Sequence, residues 1–513
     1  MPEKVLKKLN TYILPQWKVC FFAAFFAGHL AYLYKITNWL PNWDSLVFRY
    51  DSQNMIALGR WFLPVVCSFS SFYDLPFLNG ILAIIFHALG CVCIFRILGV
   101  KKKITAVLVG ALISTFPTVT SVMMYNYVAD GYAISFFLST MAALYLTREK
   151  PKFILSAVLI ALSMGIYQAY ITVTIMLILF HLIDELVFKN VSFKVILKKA
   201  LKILLSGILG AAIYWIILKV LLSSFSLELL DYQGMGDTAS LSNIDLLGSL
   251  YVIKETFIKC FFDLSGGVSI YVILNAVLFV FTLFYYISHV VKIGIYREPA
   301  RLVMIIVLGF MLILGSGALA FINPCVDYHN LMLMGYSVFY LFFIVIYERG
   351  CEKNPSIKCW TILVLSLAVI SNQIVVANVS YHKAQLAYEK SYGVLIRIID
   401  RIEKLPENEE CNKILVVGAL DDSDKYSVNL PPDITGITDG YIIRADDETV
   451  SQSVLTSAIS DYSGKIYEFI NGEEKKELLN REDVKSMAKW PGENSLKIID
   501  DIIVIKLGNE GEF

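Results

Sequence analysis

The chain has 513 residues, of which 57% are hydrophobic and only 17% charged, with no formal net charge. A mean hydropathy of +0.63 excludes an ordinary soluble domain. Zero net charge leaves neither a basic excess for nucleic acid nor an acidic excess for a solvated tail. What remains is a polytopic membrane protein, in which charge informs through its position.

Lys4, Lys7 and Lys8 precede the first apolar run, which no Ala-x-Ala-like cleavage site closes. A retained first helix is therefore expected. A membrane-spanning helix needs about 20 largely apolar residues. Runs of that kind lie at 19–36, 77–98, 104–123, 131–147, 153–169, 171–188, 202–224, 268–290, 302–322, 331–347 and 359–378. Lysine and arginine in short loops mark the cytoplasmic side. One set of alternate loops carries twenty-one of them, in groups such as Lys101 to Lys103, Lys189 to Lys202 and Arg349 to Lys358; the opposite set carries only Lys35, Arg49, Arg60, Lys254 and Lys259. This places the N-terminus inside, the C-terminus outside, and the long loops 37–76 and 225–267 on the outer face.

From about residue 380 the pattern changes. An amphipathic helical stretch at 381–405 is followed by strand-like runs at 413–417, 440–444 and 498–507, alternating with polar helical stretches. The expected fold is an all-α polytopic membrane domain of about 11 spans (1–379), followed by a small extracytoplasmic α/β domain (380–513). The nine cysteines show no CxxC or zinc-finger spacing and read as small buried hydrophobes.

An outward-facing working surface has no access to cytoplasmic nucleotides, and the sequence contains neither a Walker loop nor a Rossmann glycine pattern. A group transferred there must arrive on a membrane carrier, most simply a lipid-linked phosphate. That chemistry needs a carboxylate to deprotonate the acceptor hydroxyl and cations to stabilise the departing phosphate. The first outer loop holds both, in Asp44, Arg49, Asp51 and Arg60. On a helix, Asp44 and Asp51 share a face but stand about 10 Å apart along the axis, too far to clamp one metal ion. This favours a single base, and Asp44, nearest the first span, is the candidate. Asp44 can equally cap a helix beginning at Ser45. Asp51 reads first as a solvated interfacial carboxylate and otherwise as a substrate contact. Arg49 and Arg60 read as phosphate partners or as snorkelling anchors beside Trp43 and Trp61.

Further candidates share the same side. Asp130, followed by Gly131, reads as a tight outer turn or as a sugar contact among Tyr125, Tyr127 and Tyr132. Tyr167 and Gln168 close the next outward span, and Asp327, Tyr328 and His329 form another outer polar set. Lys219, near the outer end of the 202–224 run, is a snorkelling residue or a phosphate contact. His29 and His87 lie inside helices and read as core residues.

Asn42-Trp43-Asp44-Ser45-Leu46, followed by Leu58-Gly59-Arg60-Trp61-Phe62, resembles the first outer loop of the bacterial Gtr-type glucosyltransferases, which modify O-antigen and other cell-surface polysaccharides within the GT-C group. Phe116-Pro117, Tyr127 to Tyr132, Ile166 to Tyr170 and the closing stretch from Trp490-Pro491 to Ile505-Lys506 support the resemblance. It implies a polyprenyl-phosphate sugar donor, transfer on the outer face of the bacterial plasma membrane, a cell-surface glycan acceptor, and Asp44 as the catalytic carboxylate. Companion proteins would be a flippase and a cytoplasmic-side polyprenyl-phosphate sugar synthase. Many relatives carry two adjacent acidic residues where this chain has Asp44-Ser45, which leaves open any need for a divalent cation; no other cofactor is implied.

The function expected is thus transfer of a hexosyl unit, glucosyl by resemblance, with Asp44 as base, Arg49, Arg60 and Lys219 toward phosphate, and Asp51, Asp130, Tyr167, Gln168 and His329 toward sugar or acceptor. A lipid-linked-sugar flippase would be expected to show broken or charged helices at mid-membrane and two related halves. Those features are not evident. A polysaccharide polymerase, acting on a lipid-linked oligosaccharide, and an assembly protein working through its tail are also compatible with the pattern.

Overall fold

The computed structural model describes residues 3–4, 13–41, 44–45, 55–71, 73–189, 191–230, 245–264, 268–322, 328–350, 357–420 and 448–511. They fall into two compact units: Met1–Thr37 with Asp51–Asn378, and Asn38–Tyr50 with Val379–Phe513.

The first unit is helical. In chain order its elements are α1 (Pro15–Thr37), α2 (Leu63–Cys67), α3 (Pro76–Leu98), α4 (Lys103–Ser114), α5 (Pro117–Met124), α6 (Asn126–Leu146), α7 (Phe153–Ile166), α8 (Ile171–Phe188), α9 (Phe193–Ser224), α10 (Leu246–Phe262), α11 (Ile270–Lys292), α12 (Pro299–Ser316), α13 (Phe339–Gly350) and the first part of α14 (Ile357–Glu403). Among the described residues, eight helices are long and apolar enough to cross a membrane, or nine if α4 and α5 form one bent span. The chain is an all-α polytopic membrane protein with a small C-terminal sheet domain.

Each apolar run has a helix, but the runs at 153–169 and 331–347 fold more briefly than expected. The first gives the 14-residue α7, and the second gives 3-10 turns at Asn330–Met332 and Met334–Val338 before the 12-residue α13. Helix α10 occupies the long loop 225–267, with Asp245 capping it through a 2.9 Å hydrogen bond from the Gly248 N–H. Helix α3 opens at Pro76 and closes at Gly99, whose φ of +62° suits the left-handed stop. Pro117 breaks the next span, and α4 and α5 meet at 45°. A Cβ on Gly110 of α4 would stand 2.4 Å from the Cys20 carbonyl oxygen, so here the backbones of α1 and α4 nearly touch.

Hydroxyls join α6, α7 and α8 inside the bundle. Ser135 Oγ donates to the Ser163 carbonyl at 2.9 Å, Ser139 Oγ to the Tyr170 carbonyl at 2.6 Å, and Thr174 Oγ1 to the Ser139 carbonyl at 3.0 Å. The far ends of the helices meet in charge pairs. Glu348 accepts the Lys101 and Lys102 N–H groups (2.9 and 3.2 Å) and the Thr105 hydroxyl (2.8 Å), capping the start of α4 from a neighbouring helix. Arg349 pairs with Asp184 at 3.0 Å and Lys199 with Glu185 at 2.7 Å, while Arg301 Nε donates to the Leu186 carbonyl at 2.9 Å. The basic segments that set the expected orientation therefore gather at one end of this unit.

The second unit is built on the later part of α14, which runs unbroken through what the sequence suggested were two elements, at 359–378 and 381–405. Among the described residues a four-stranded sheet, in the order β2-β1-β4-β3, comprises β1 (Lys413–Val417), β2 (Glu468–Phe469), β3 (Leu496–Ile499) and β4 (Ile502–Lys506). β1 is parallel to both β2 and β4, and β3 is antiparallel to β4. The run at 498–507 is thus not one strand. Asp500 and Asp501, at φ +48° and +62°, turn the chain back in a tight hairpin. Helices α15 (Glu448–Ser463), α16 (Gly472–Leu479) and α17 (Glu482–Lys485) belong to the same unit. Leu395, Ile398, Ile414, Val416, Leu455, Ile459 and Ile503 make its main core, against which Trp39 packs. The expected strand at 440–444 lies outside the described residues.

Cys20, Cys67, Cys91, Cys93, Cys260 and Cys411 are free and buried. Cys359 departs from the expectation for the cysteines, being disulfide-bonded.

Candidate functional site

The segment Leu58 to Phe62 is held from several directions. Arg60 N–H donates to the Met55 carbonyl at 2.7 Å and Phe62 N–H to the Gly165 carbonyl at 2.7 Å. Gln168 Nε2 donates to the Leu58 carbonyl and to the Tyr214 hydroxyl, both at 3.1 Å, and that hydroxyl donates to the Gly59 carbonyl at 3.0 Å. Gly59 makes this approach feasible. Its φ is +74°, and a Cβ there would stand 2.6 Å from Tyr214 Oη and 2.7 Å from Gln168 Nε2. Trp61 is buried against Gly165 and Tyr214 rather than standing in an interfacial belt, because the missing side chain at Gly165 gives its ring a seat.

With the backbone so fixed, Arg60 is directed at two aromatic rings. Nη1 donates to Tyr132 Oη at 3.2 Å, and the guanidinium carbon lies 5.0 Å from the centroid of the Tyr167 ring. Tyr132 and Tyr167 are stacked, with centroids 4.5 Å apart and planes at 12°. A guanidinium placed by stacking and a hydroxyl has the planar geometry that matches phosphate oxygens. The structure brings Arg60 together with Tyr167 and Gln168, which lie far from it in sequence.

Asp130 corrects the sequence expectation. It lies within α6, not in an outer turn, and is 1% exposed. Gly131 serves close packing instead of a turn, since a Cβ on it would stand 2.6 Å from Leu63 and 2.9 Å from Cys67. Two residues apart on a helix, Asp130 and Tyr132 point about 160° apart. Asp130 therefore faces away from Arg60, toward Ser70 and Asn79, and takes the Gly131 N–H at 3.0 Å. One turn earlier, Asn126 Nδ2 donates to Asp74 Oδ1 at 2.6 Å, and Lys35, 1% exposed, lies beside Asp74. None of Lys35, Asp74, Asn79 or Asn126 was singled out from the sequence for a role in the site, nor was Tyr214. Asn79 and Asn126 carried a readable signal, as amides within apolar helices; Tyr214 carried none.

Asp44 and Ser45 are helical, Asp44 half-buried and Ser45 buried, and both belong to the second unit. Arg49 and Asp51 lie outside the described residues. Lys219 is exposed on α9, one residue beyond Leu218, which is buried in the cluster around Trp61 and Tyr214. His329 is half-buried and opens the Asn330–Met332 turn; its neighbour Tyr328 lines a cavity with Thr172, Thr256 and Tyr336. Among the described residues, no group of three or more His, Cys, Asp and Glu is placed to hold a metal ion.

No curated protein and no solved structure matches the chain. The tail segment that contributed to the resemblance lies beyond the stretch that a family model does match, which runs from residue 33 to 347 and includes Asp44, Arg60, Asp130, Tyr167, Gln168, Lys219 and His329. On that match, covering well over half of its length and headed "Glucosyl transferase GtrII", the chain belongs to the GtrII glucosyl transferase family.

Proposed function

We propose that this membrane glucosyltransferase takes its hexosyl unit, glucosyl by family, from a polyprenyl-phosphate sugar and delivers it to a cell-surface polysaccharide or glycopolymer on the outer face of the bacterial plasma membrane. The observation that carries the reading is Arg60, aimed by a pinned glycine loop onto the Tyr132 and Tyr167 pair in a chain of this family.

In this reading Asp44 removes the proton from the acceptor hydroxyl as its oxygen attacks the anomeric carbon. The bond from that carbon to the phosphate oxygen breaks, and its electron pair leaves with the lipid phosphate. Arg60, assisted by Arg49, stabilises the charge that develops there. Tyr167 and Gln168 hold the platform, Lys219 would contact the lipid phosphate, and His329 and Asp51 would contact substrate. Residues 1–379 form the catalytic membrane domain and 380–513 an outer domain. A flippase and a cytoplasmic-side sugar-phosphate lipid synthase would supply the donor.

The test is full-length protein in lipid with polyprenyl-phosphate glucose, mannose and galactose and candidate surface glycans. Loss of label from one lipid and its gain by a glycan supports the reading. Movement of intact lipid-linked sugar across the bilayer without transfer overturns it.

A further inference from the structure

Asp74, Asn79, Asn126 and Asp130 converge from three elements on the side of α6 opposite Arg60. Ile36 packs onto Gly80, bringing the end of α1 and its Lys35 against the start of α3, where Asn79 stands. Asn79 is wholly buried beside the Asp130 carboxylate, and neither its carbonyl oxygen nor its amide nitrogen makes a hydrogen bond of normal geometry among the described residues. Asn126 uses its amide on Asp74, while its buried carbonyl oxygen is likewise unpartnered. Buried amides that only hold helices together are expected to bond to one another or to backbone. These do not.

The chemistry of the cluster selects a ligand. Two carboxylates against one ammonium disfavour a free anion such as phosphate, and an ammonium beside Asp74 disfavours a bare cation, which prefers an all-oxygen cage. Unused donors and acceptors occur together, and a sugar hydroxyl both donates and accepts. Asp74, half-exposed at the end of the first long loop, is the open side. We propose that Asp74, Asn79, Asn126 and Asp130, with Lys35 beside them, bind the hydroxyls of a pyranosyl unit. This rests on the hexosyl-transfer reading and gives it a sugar subsite separate from the Arg60 platform.

Asn79→Leu tests it, because replacing an unpartnered buried amide by an apolar group of similar size does not weaken the fold. Full-length wild-type and variant protein in nanodiscs would be compared for melting temperature and for affinity toward citronellyl-phosphoryl-glucose, sugar-free citronellyl phosphate and a free glucan oligosaccharide. The expected result is an equal or higher melting temperature, about tenfold weaker binding of a sugar-bearing probe, and unchanged binding of citronellyl phosphate. A loss on the free glucan assigns the acceptor; a loss on the lipid-linked sugar assigns the donor and takes the departing phosphate away from Arg60. If the variant does not fold, Asn79→Ser takes its place with the same expected loss. Wild-type discrimination of the sugar with unchanged affinity in the variant overturns the subsite alone. A wild-type protein that binds neither sugar-bearing probe better than citronellyl phosphate overturns the subsite together with the transfer reading.

Discussion

Arg60 and Tyr167 stand far apart in sequence, yet the guanidinium carbon of the first lies 5.0 Å from the ring centroid of the second. The contact depends on two prior arrangements: Gly59 turning the chain beneath Tyr214, and Tyr132 stacking on Tyr167. Each can be removed separately.

Arg60→Ala should lower kcat/KM by about 10²–10³-fold, the range for losing a preorganised charge partner. Tyr132→Phe keeps the stacked ring and loses only the 3.2 Å hydrogen bond, so a fall of about tenfold is expected. Steady-state kinetics on a lipid-linked sugar check both. Equal losses in the two variants would mean that the hydroxyl, not the cation, carries the effect.

Gly59→Ala should destabilise the protein by about 1–3 kcal/mol, because the alanine must take a left-handed conformation and its Cβ meets two polar atoms. Thermal unfolding in detergent measures it. Gln168→Ala, which removes one of those atoms along with two hydrogen bonds, should partly relieve the Gly59→Ala defect in the double variant.

Asp44→Asn should reduce kcat by about 10²–10⁴-fold at unchanged melting temperature, the range for loss of a general base. Full turnover in that variant would remove Asp44 from the mechanism and leave Asp51 and Asp74 as the first-loop carboxylates to examine.

Orientation can be read by labelling. Lys150 and Glu493 are exposed, and among the described residues six cysteines are free but buried. With wild-type background subtracted, a membrane-impermeant maleimide applied to intact cells should modify Glu493→Cys and spare Lys150→Cys. The reverse pattern would invert the proposed topology.

The helices were legible because a stretch of about 20 apolar residues has few other ways to fold. Their ends were less so. Helix α6 starts at Asn126, several residues before its apolar run, since polar side chains there are buried by neighbouring helices, which hydropathy does not register. Asp130 followed by Gly131 suggested a turn because that dipeptide favours one; the close approach of Leu63 and Cys67, which requires the glycine, is a tertiary fact. Asp500 and Asp501 did carry a turn signal within an apolar stretch, and one continuous strand was expected there all the same. Arg60, Tyr167 and Gln168 were each identifiable alone as polar or aromatic residues near span ends. Their meeting depends on Tyr214, which no local pattern distinguishes from the apolar run around it.

The serine ladder inside the bundle has a reach beyond its own bonds. Ser135 and Ser139 both find their partners in one register of α6 against α7 and the start of α8. A slip of one residue would strand both hydroxyls at once. Tyr132 sits one turn before Ser135, so its height beside Tyr167 is set by hydroxyls deep in the interior. The ladder works as a vernier for the aromatic platform, and a substitution there would detune Arg60 without touching it.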